Sequence, residues 1–179
     1  MIGDPNVGKT TICNALLNME FTKDYKPTIG ASLMKIPFNY GGKMIWYYIW
    51  DTAGMERYKA LAPVYYRGSK AAIITFDLTS RTSFDNVVSW INLYHENAGN
   101  NPLLILGNKS DLIDHRCIDH SEAIALADKY NAKYVEVSAF SKSNLGEILS
   151  SLSNMVDLLI IEHNSNTNQI KSSADTSCC

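Results

Sequence analysis

The hydrophobic positions of the chain fall into runs that predict five strands. Two β-rich runs are separated only by Gly41 and Gly42, and paired glycines allow the positive φ angles of a tight hairpin turn. Two later runs are almost continuously apolar, which is typical of strands buried on both faces of a sheet. The predicted strands span residues 31–40, 43–50, 71–77, 102–107 and 133–137.

Apolar residues at helical spacing predict four helices between and after these strands. The second carries Phe84, Val87 and Ile91 on one face, and Ser121 is the expected N-cap of the third. The predicted helices span residues 10–18, 82–97, 121–130 and 144–161. Alternating strands and helices predict an α/β fold with a doubly wound, mostly parallel sheet and helices on both faces. Ligands of such sheets bind at the carboxyl ends of the strands.

Composition and charge restrict the class of protein. The 179 residues suit one compact domain, and 46 % hydrophobic with 19 % charged residues is ordinary for a soluble protein. A net charge of −2 provides no basic field, so we expect no nucleic-acid partner. The four cysteines have neither disulfide nor zinc spacing, which favours a reducing, cytosolic setting. No apolar run approaches the roughly 20 residues of a membrane span, and no secretory signal is recognisable.

The first ten residues contain the strongest chemical motif. Gly3 to Thr10 fits the pattern G-x-x-x-x-G-K-[ST], whose glycines let successive backbone N–H groups wrap a phosphate chain. Lys9 adds a charge for the β- and γ-phosphates, and the Thr10 hydroxyl is a candidate Mg²⁺ ligand. The candidate phosphate-binding residues are Gly3, Asp4, Asn6, Val7, Gly8, Lys9, Thr10 and Thr11. A chance match in a glycine-containing turn is the alternative interpretation, which the later motifs weaken.

An Asp-Thr-Ala-Gly motif follows the second predicted strand. Asp51 can hold Mg²⁺ through a water molecule, and Gly54 can offer its backbone N–H to a γ-phosphate without steric hindrance. Taken alone, an aspartate after a strand is more often a turn or cap residue. Its occurrence downstream of a phosphate loop favours the metal role.

An Asn-Lys-Ser-Asp motif follows the fourth predicted strand and begins at Asn108. The Asp111 carboxylate can accept two donors of a guanine edge, its N1–H and its exocyclic amine, a donor pair that adenine lacks. Asn108 can tie this loop to the phosphate loop, and the Lys109 stem can pack on the purine. Ser138 and Ala139, after the next strand, would add a backbone N–H for guanine O6. The motif therefore favours guanine and disfavours an ATP-using kinase.

With these motifs in this order, the chain resembles the small Ras-like GTPases over nearly its whole length, and within them the Rab proteins. The supporting segments are residues 29–32, 48–54, 56–58 and 61–68. The forms Thr-Ile-Gly-Ala-Ser and Leu-Ala-Pro-x-Tyr-Tyr-Arg-Gly are most similar to the early-endosomal Rab subgroup. The resemblance implies the P-loop small-GTPase fold, GTP or GDP with Mg²⁺ as cofactors, and GTP hydrolysis in a switch that regulates vesicle-mediated endocytic traffic.

The resemblance also implies roles for single residues. Thr28 matches the switch I threonine that ligates Mg²⁺ when a γ-phosphate is present. Phe21 matches an aromatic residue at the guanine edge, although a core phenylalanine is an equally good interpretation of the residue itself. The implied metal ligands are Thr10, Thr28 and Asp51, the implied catalytic residues are Lys9, Thr28 and Gly54, and the implied base contacts include Ser138, Ala139 and Phe140.

Two switch segments, 21–32 and 51–68, would order on γ-phosphate contacts and loosen after hydrolysis. By resemblance they would bind Rab effectors, with an exchange factor, a GTPase-activating protein, a GDP-dissociation inhibitor and the prenylation machinery as further partners. Candidate contact residues are Tyr58, Leu61, Tyr65 and Tyr66. The alternative is that some of these side chains pack beneath switch II.

Met55 departs from the family pattern, because it stands where the family has the glutamine that orients the attacking water. A thioether has no donor and is a weak acceptor, so we expect slow intrinsic hydrolysis. Proteins that activate Rabs can supply a glutamine and an arginine in trans. The alternative function is therefore a membrane-tethered GTP-binding scaffold with little or no hydrolysis.

Three further departures concern the loops and the start of the chain. Phe140 replaces the lysine of the usual Ser-Ala-Lys, and Asn6 is the non-glycine residue best able to accept a positive φ in the phosphate loop. Only Met1 and Ile2 correspond to the family's first, central strand. We expect either that the start is internal to a longer product, or that neighbouring strand edges stay unpaired and the chain folds poorly.

The segment after the last predicted helix is polar. We expect a G domain over residues 1–162 and a disordered tail over residues 163–179. The terminal Cys178 and Cys179 resemble the doubly geranylgeranylated end of many Rabs, and two prenyl chains suffice for stable anchoring. Two unmodified thiols are the alternative. We expect the cytoplasmic face of intracellular, endosomal membranes, with cycling through the cytosol.

Overall fold

The computed structural model describes residues 1–19, 28–54 and 62–155. The strands are β1 (Ala31–Tyr40), β2 (Lys43–Thr52), β3 (Ala72–Asp77), β4 (Leu103–Asn108) and β5 (Lys133–Glu136). The helices are α1 (Lys9–Leu16), α2 (Ala62–Tyr66), α3 (Arg81–Asp85), α4 (Val87–Ala98), α5 (His120–Lys129) and α6 (145–155), with a 3-10 turn at Ile113–His115. The predicted domain boundary at residue 162 and the tail lie outside the described residues.

The strands form a hairpin and a parallel sheet. β1 pairs with β2 in antiparallel register, and Gly41 and Gly42 in the connecting turn have φ angles of 56° and 80°. Both values are positive, as the sequence predicted for a tight hairpin turn. β3, β4 and β5 pair in parallel in that order, and every residue of β3 and β4 is buried. These features confirm the α/β class and the two fully buried strands.

Met1 and Ile2 connect the hairpin to the parallel sheet. The Ile2 N–H donates to the Ile73 carbonyl at 2.8 Å, and the Ile2 carbonyl accepts from the Thr75 N–H at 2.8 Å. On the other side, the Met1 nitrogen donates to the Trp50 carbonyl at 2.7 Å. These bonds have the register of parallel pairing, so the two residues occupy one level of the space between β2 and β3.

Two apolar cores cover the opposite faces of the parallel sheet. Successive residues of a strand point to opposite faces, and accordingly Ile74 and Ile105 belong to one core whereas Ile73 and Leu104 belong to the other. The first core includes buried residues of α3, α4 and α5, and the second includes residues of α1 and α6. The prediction of helices on both faces is therefore confirmed.

Two details of the helices differ from the sequence predictions. The helix predicted over 82–97 is divided into α3 and α4, which are separated by Asn86. The Ser80 side chain caps α3 by accepting from the Ser83 N–H. Ser121 was wrong as an N-cap, because α5 begins one residue earlier at His120 and Asp119 takes the cap position. None of the helices in the described ranges is long and apolar enough to cross a membrane.

Candidate nucleotide-binding site

The loop between Ile2 and α1 has the tight curvature that its motif predicted. Asn6 has a φ of 63°, the positive value anticipated for this residue, and Gly8 has a φ of 94° at the N-cap of α1. A Cβ atom at Gly8 would lie 2.3 Å from the Asn108 Nδ2 atom. The second glycine of the motif is therefore needed both for its backbone angle and for this close approach.

Lys9 places its ammonium group inside the curve of the loop. Its Nζ atom donates to the Gly3 carbonyl at 2.8 Å and to the Asp4 carbonyl at 2.7 Å, and the residue is buried. Burial lowers the pKa of Lys9 to about 8, although Asp51 and Asp4 oppose the shift. A buried cation with neutral partners favours an anionic ligand, because the ligand compensates the lost hydration.

The Asp4 carboxylate anchors the same loop to α4. It accepts hydrogen bonds from Asn86 Nδ2 and from Trp90 Nε1, both at 2.7 Å. These two partners lie more than eighty positions away in the chain. No local pattern marked them, so the sequence analysis missed both as positioning residues.

A cluster of side-chain oxygens lies next to the phosphate loop. Thr10 Oγ1 donates to Asp51 Oδ2 at 2.7 Å and lies 2.9 Å from Thr28 Oγ1. Burial raises the pKa of Asp51, although the Thr10 hydrogen bond opposes this. Its second oxygen, Oδ1, is buried and has no hydrogen-bond partner among the described residues. The structure thus brings together the three oxygens predicted as metal ligands, and hard oxygen ligands of this kind suit Mg²⁺.

The donor set contains one carboxylate and two hydroxyls. Within residues 1–19, 28–54 and 62–155, no three His, Cys, Asp or Glu side chains cluster closely enough to hold a metal ion. A thiolate- or imidazole-rich metal centre is therefore not part of the described site. An oxygen set with few charges fits an ion that takes its remaining ligands from water and phosphate, as Mg²⁺ does.

Gly54 passes directly over the phosphate loop. A Cβ atom at this position would lie 2.4 Å from the Asp4 carbonyl carbon and 2.5 Å from the Pro5 nitrogen. Both atoms are backbone, so no side chain could yield to make room. The end of the Asp-Thr-Ala-Gly motif therefore requires glycine for packing, in addition to the N–H that the sequence analysis assigned to it.

Asn108 holds the two loops predicted to bind guanine against the phosphate loop. Its Nδ2 atom donates to the Val7 carbonyl at 2.8 Å, the connection that the sequence analysis anticipated. Its Oδ1 atom accepts from the Ala139 N–H at 3.2 Å, and the Ser138 hydroxyl donates to Asp111 Oδ1. The Ser138 N–H donates to the Ser143 carbonyl at 3.3 Å. The N–H groups of Ser138 and Ala139, which the sequence suggested as donors to guanine O6, thus both donate to atoms within these loops.

Lys109 is held by an aspartate that the sequence analysis did not single out. Its Nζ atom lies 2.5 Å from Asp77 Oδ2, and Asp77 is the last residue of β3. Asp51 and Asn108 also lie at the ends of strands. The rule that places ligand sites at the carboxyl ends of parallel strands could therefore have identified Asp77.

Glu136 joins the segment after Asn108 to the strand that leads to Ser138. Its carboxylate accepts from Arg116 at 2.5 and 2.8 Å, from His120 Nδ1 at 2.8 Å and from the Tyr134 hydroxyl at 2.8 Å. Burial would raise the pKa of Glu136, but these hydrogen bonds outweigh burial and lower that pKa to about 2. These hydrogen bonds therefore hold the segment after Asn108 against the strand that leads to Ser138.

The Glu136 cluster predicts a loss of stability in acid. Since its pKa is depressed from 4.5 to about 2 in the folded chain, the stabilisation is complete above pH 4.5 and is lost as the pH falls towards 2. We expect the unfolding free energy to fall by about 1–3 kcal/mol more in the native chain than in Glu136→Gln. Urea unfolding at about pH 5.5 and about pH 3 measures this difference. Glu147→Gln, at an exposed position, is the control; an equal acid dependence in native and Glu136→Gln proteins would contradict the prediction.

The residues predicted as a partner surface divide into different environments. Tyr66 is buried in the first core with its ring 5.8 Å from that of Tyr94, so of the two interpretations left open for this residue the structure supports packing in the core and not a surface contact. Tyr65 is half-buried, with its ring 5.4 Å from that of the exposed Trp50. Phe140 is exposed. Several other predicted residues lie outside the described ranges: Phe21, Met55, Tyr58, Leu61, Cys178 and Cys179.

Comparisons with known proteins agree with this geometry. The model of the Ras family matches residues 1–157. Ras-related protein Rab-22A of Homo sapiens is 39 % identical over 157 residues, which cover 87 % of this chain and 81 % of that protein. Ras-related protein Rab-31 of Rattus norvegicus is 37 % identical over 172 residues, covering 96 % of this chain and 88 % of that protein. The GTP-binding protein ypt3 of Schizosaccharomyces pombe is 40 % identical over 148 residues, covering 82 % and 69 %.

The family match covers most of the chain, and it includes the phosphate loop, the Asp-Thr-Ala-Gly segment and both loops joined by Asn108. The similarity to these three relatives covers more than two thirds of the length of each of them. The chain belongs to the Ras family, as a small GTPase of the Rab type.

Proposed function

We propose that this Rab-type GTPase binds GTP and GDP in the site described above, with Mg²⁺ as cofactor, and switches its partner surface between the two nucleotide states. Lys9 and the N–H groups of residues 3–11 would hold the phosphates. The Thr10 and Thr28 hydroxyls would ligate the ion directly, and Asp51 would hold it through a water molecule. Asp111, with Lys109 and Asn108, would select guanine.

One observation carries this proposal most strongly. Thr10, Thr28 and Asp51 converge beside the phosphate loop with contacts of 2.7 and 2.9 Å, although they come from three separate segments. The buried Asp51 Oδ1 has no hydrogen-bond partner among the described residues, and such an atom is costly unless a ligand or water satisfies it. A hydrated cation at this point would satisfy it.

Bound Mg²⁺ would neutralise charge on the β- and γ-phosphates. The chain's own contribution is positional, because Lys9 and the loop N–H groups orient the phosphates and Thr28 closes over them. The Gly54 N–H would donate to the γ-phosphate, where charge develops during hydrolysis. Water is the nucleophile, and the products are GDP and phosphate.

The identity of the bound nucleotide and the rate of its release test the proposed guanine and Mg²⁺ contacts. We expect purified protein to contain GDP or GTP rather than an adenine nucleotide, as chromatography of the denatured supernatant would reveal. Chelation of Mg²⁺ is expected to accelerate release of a fluorescent GDP analogue by at least about tenfold, and Asp51→Asn to reduce this acceleration. Asp85→Asn, on the exposed surface of α3, is the matched control. Tight ATP binding, or release unaffected by chelation, would contradict the proposal.

The membrane part of the proposal depends on the end of the chain. We propose that Cys178 and Cys179 carry prenyl groups, added by the prenylation machinery, and that the protein acts on the cytoplasmic face of endosomal membranes. Its general partners are those of Rab proteins: effectors, an exchange factor, a GTPase-activating protein and a GDP-dissociation inhibitor. The intact mass of protein isolated from its own cells tests this, since an unmodified terminus would remove the membrane anchor.

A further inference from the structure

Asp4 places a carboxylate in a loop that is built to receive phosphates. Its carbonyl accepts from Lys9 Nζ at 2.7 Å, and Gly54 passes directly over its carbonyl carbon. In the proposed function, Lys9 holds the phosphates and the Gly54 N–H donates to the γ-phosphate, so Asp4 lies at the γ-phosphate end of the loop. A carboxylate aimed into the loop would oppose ligand binding there, because like charges repel at short range.

Two neutral donors at the start of α4 hold this carboxylate. Asn86 Nδ2 donates to Oδ2 and Trp90 Nε1 donates to Oδ1, each at 2.7 Å, so each oxygen of Asp4 has its own donor. Asn86 and Trp90 are four positions apart, which places them on one face of the helix. The Asp4 side chain thus points to α4, whereas the carbonyl of the same residue points to Lys9.

The clamp formed by Asn86 and Trp90 is fixed by the packing of the protein. Trp90 is buried and belongs to the first core. Asn86 occupies the N-cap of α4, where an asparagine side chain ordinarily accepts from the backbone of its own helix. In the described part of the chain its side chain makes no such capping bond, and its Nδ2 atom donates to Asp4 instead. The orientation of Asn86 therefore serves Asp4 and not the helix that it begins.

The clamp orients the carboxylate but leaves its negative charge in place, because an amide and an indole are neutral donors. That charge still acts inside the loop, since Asp4 opposes the lowering of the Lys9 pKa by burial. A carboxylate released from α4 would be free to turn towards Lys9. There it would compete with phosphate for the ammonium group and repel the γ-phosphate. Both effects are larger for GTP than for GDP, because only GTP carries the γ-phosphate.

We infer that Trp90 and Asn86 are positioning residues that hold the Asp4 carboxylate away from the γ-phosphate and thereby maintain the affinity for GTP relative to GDP. The inference rests on the proposed nucleotide function and adds a determinant of the balance between its two states. A clamp that merely shaped the loop would support both nucleotides equally, because its effect would not depend on charge. The ratio of the two affinities therefore separates positioning of the charge from structural support.

Removal of the indole donor tests the inference on the full chain. Trp90→Phe keeps a buried aromatic ring but lacks the Nε1–H group. Competition of GDP and of the non-hydrolysable triphosphate guanylyl imidodiphosphate against a fluorescent GDP analogue, with Mg²⁺ present, gives the two dissociation constants. We expect Trp90→Phe to weaken binding of the triphosphate at least about fivefold more than binding of GDP. Tyr94→Phe removes a hydroxyl that bonds to Ser69 from the same helix and core, and should keep the native ratio.

A second substitution tests whether the charge of Asp4 causes the change. The double variant Asp4→Asn/Trp90→Phe has no carboxylate to release, so its affinity ratio should return to within about twofold of the native value. Equal weakening of both nucleotides in Trp90→Phe, or a changed ratio that persists in the double variant, would overturn the inference in favour of structural support. Failure of the native chain to bind either guanine nucleotide would instead overturn the proposed function, and this inference with it.

Two further measurements decide the inference if Trp90→Phe does not fold. Asn86→Ala removes the other donor and should change the affinity ratio in the same direction, by at least about threefold. In the native chain, Trp46 and Trp50 are exposed whereas Trp90 is buried, so slow hydrogen exchange identifies the Trp90 indole signal by NMR. We expect that signal to stay protected with GDP and with the triphosphate analogue. An unchanged ratio in Asn86→Ala, or loss of protection in the triphosphate state, would overturn the inference.

Discussion

Replacement of Asp111 by asparagine is expected to weaken GTP binding by about 10² to 10⁴-fold and to shift the preference from guanine towards xanthine. The carboxylate can accept hydrogen bonds from both guanine N1–H and the exocyclic amine. Charge-assisted bonds contribute about 1.5–3 kcal/mol each, so the pair accounts for the expected range. Xanthine has a carbonyl in place of the amine, and the amide nitrogen of asparagine can donate to it. Competition between GTP and xanthosine triphosphate for a labelled nucleotide measures the shift.

The neighbourhood of Asp111 provides a matched control for this substitution. Asp114→Asn removes the same charge three residues away, in the exposed 3-10 turn, and should leave both affinities unchanged. The Ser138 hydroxyl also donates to Asp111, so Ser138→Ala should weaken GTP binding less than Asp111→Asn, without a shift towards xanthine. Retention of guanine preference by a folded Asp111→Asn protein would contradict the assignment.

Replacement of Met55 by glutamine is expected to raise the intrinsic rate of GTP hydrolysis by about ten- to a hundredfold. A glutamine amide can both accept from and donate to the attacking water, whereas the thioether of methionine cannot hold it. Oriented donors of this kind contribute about 10² or more to related reactions, which sets the upper end of the range. Single-turnover hydrolysis with preloaded GTP isolates this step from nucleotide release. GTP affinity should be unchanged, because the substitution concerns the water and not the phosphates.

Two substitutions separate the chemical effect of Met55→Gln from its effect on packing. Met55→Leu preserves an apolar side chain and should retain the slow native rate. Met44→Gln makes the same change at an exposed position at the far end of the hairpin, and should also hydrolyse GTP slowly. If native and Met55→Gln proteins hydrolyse GTP equally fast, the chain orients water by some other group, and the expectation of slow intrinsic hydrolysis is wrong.

Sequence reasoning predicted the local parts of this molecule well. The Gly41–Gly42 hairpin, the buried β3 and β4 and the positive φ of Asn6 all follow from interactions within a few residues, which a sequence pattern records directly. Helix ends were less well predicted. Asn86 divides a segment that has one continuous apolar stripe, and its side chain bonds to Asp4 far away in the chain. Such contacts leave no local signature.

The candidate site likewise has some features that local sequence predicted and others that depend on contacts between distant segments. The motifs place Thr10 and Asp51 at the edge of the sheet where ligand sites form, and the family resemblance adds Thr28 to them. The sequence could not show that the Asp4 carboxylate is held by Trp90, that Lys109 pairs with Asp77, or that Tyr66 is buried. Each of these depends on which helix packs over which strand, and that choice is made by the whole core.

By itself, the sequence determined the order of strands and helices, the phosphate and guanine motifs and therefore the family, because these depend on residue types at short spacings. Only the tertiary structure decided how Met1 and Ile2 bridge β2 and β3 and which side chains anchor the phosphate loop. These features arise between segments that are distant in the chain. The physical reason is that strand pairing and side-chain packing depend on all the segments of both cores at once, so they cannot be predicted from any single segment.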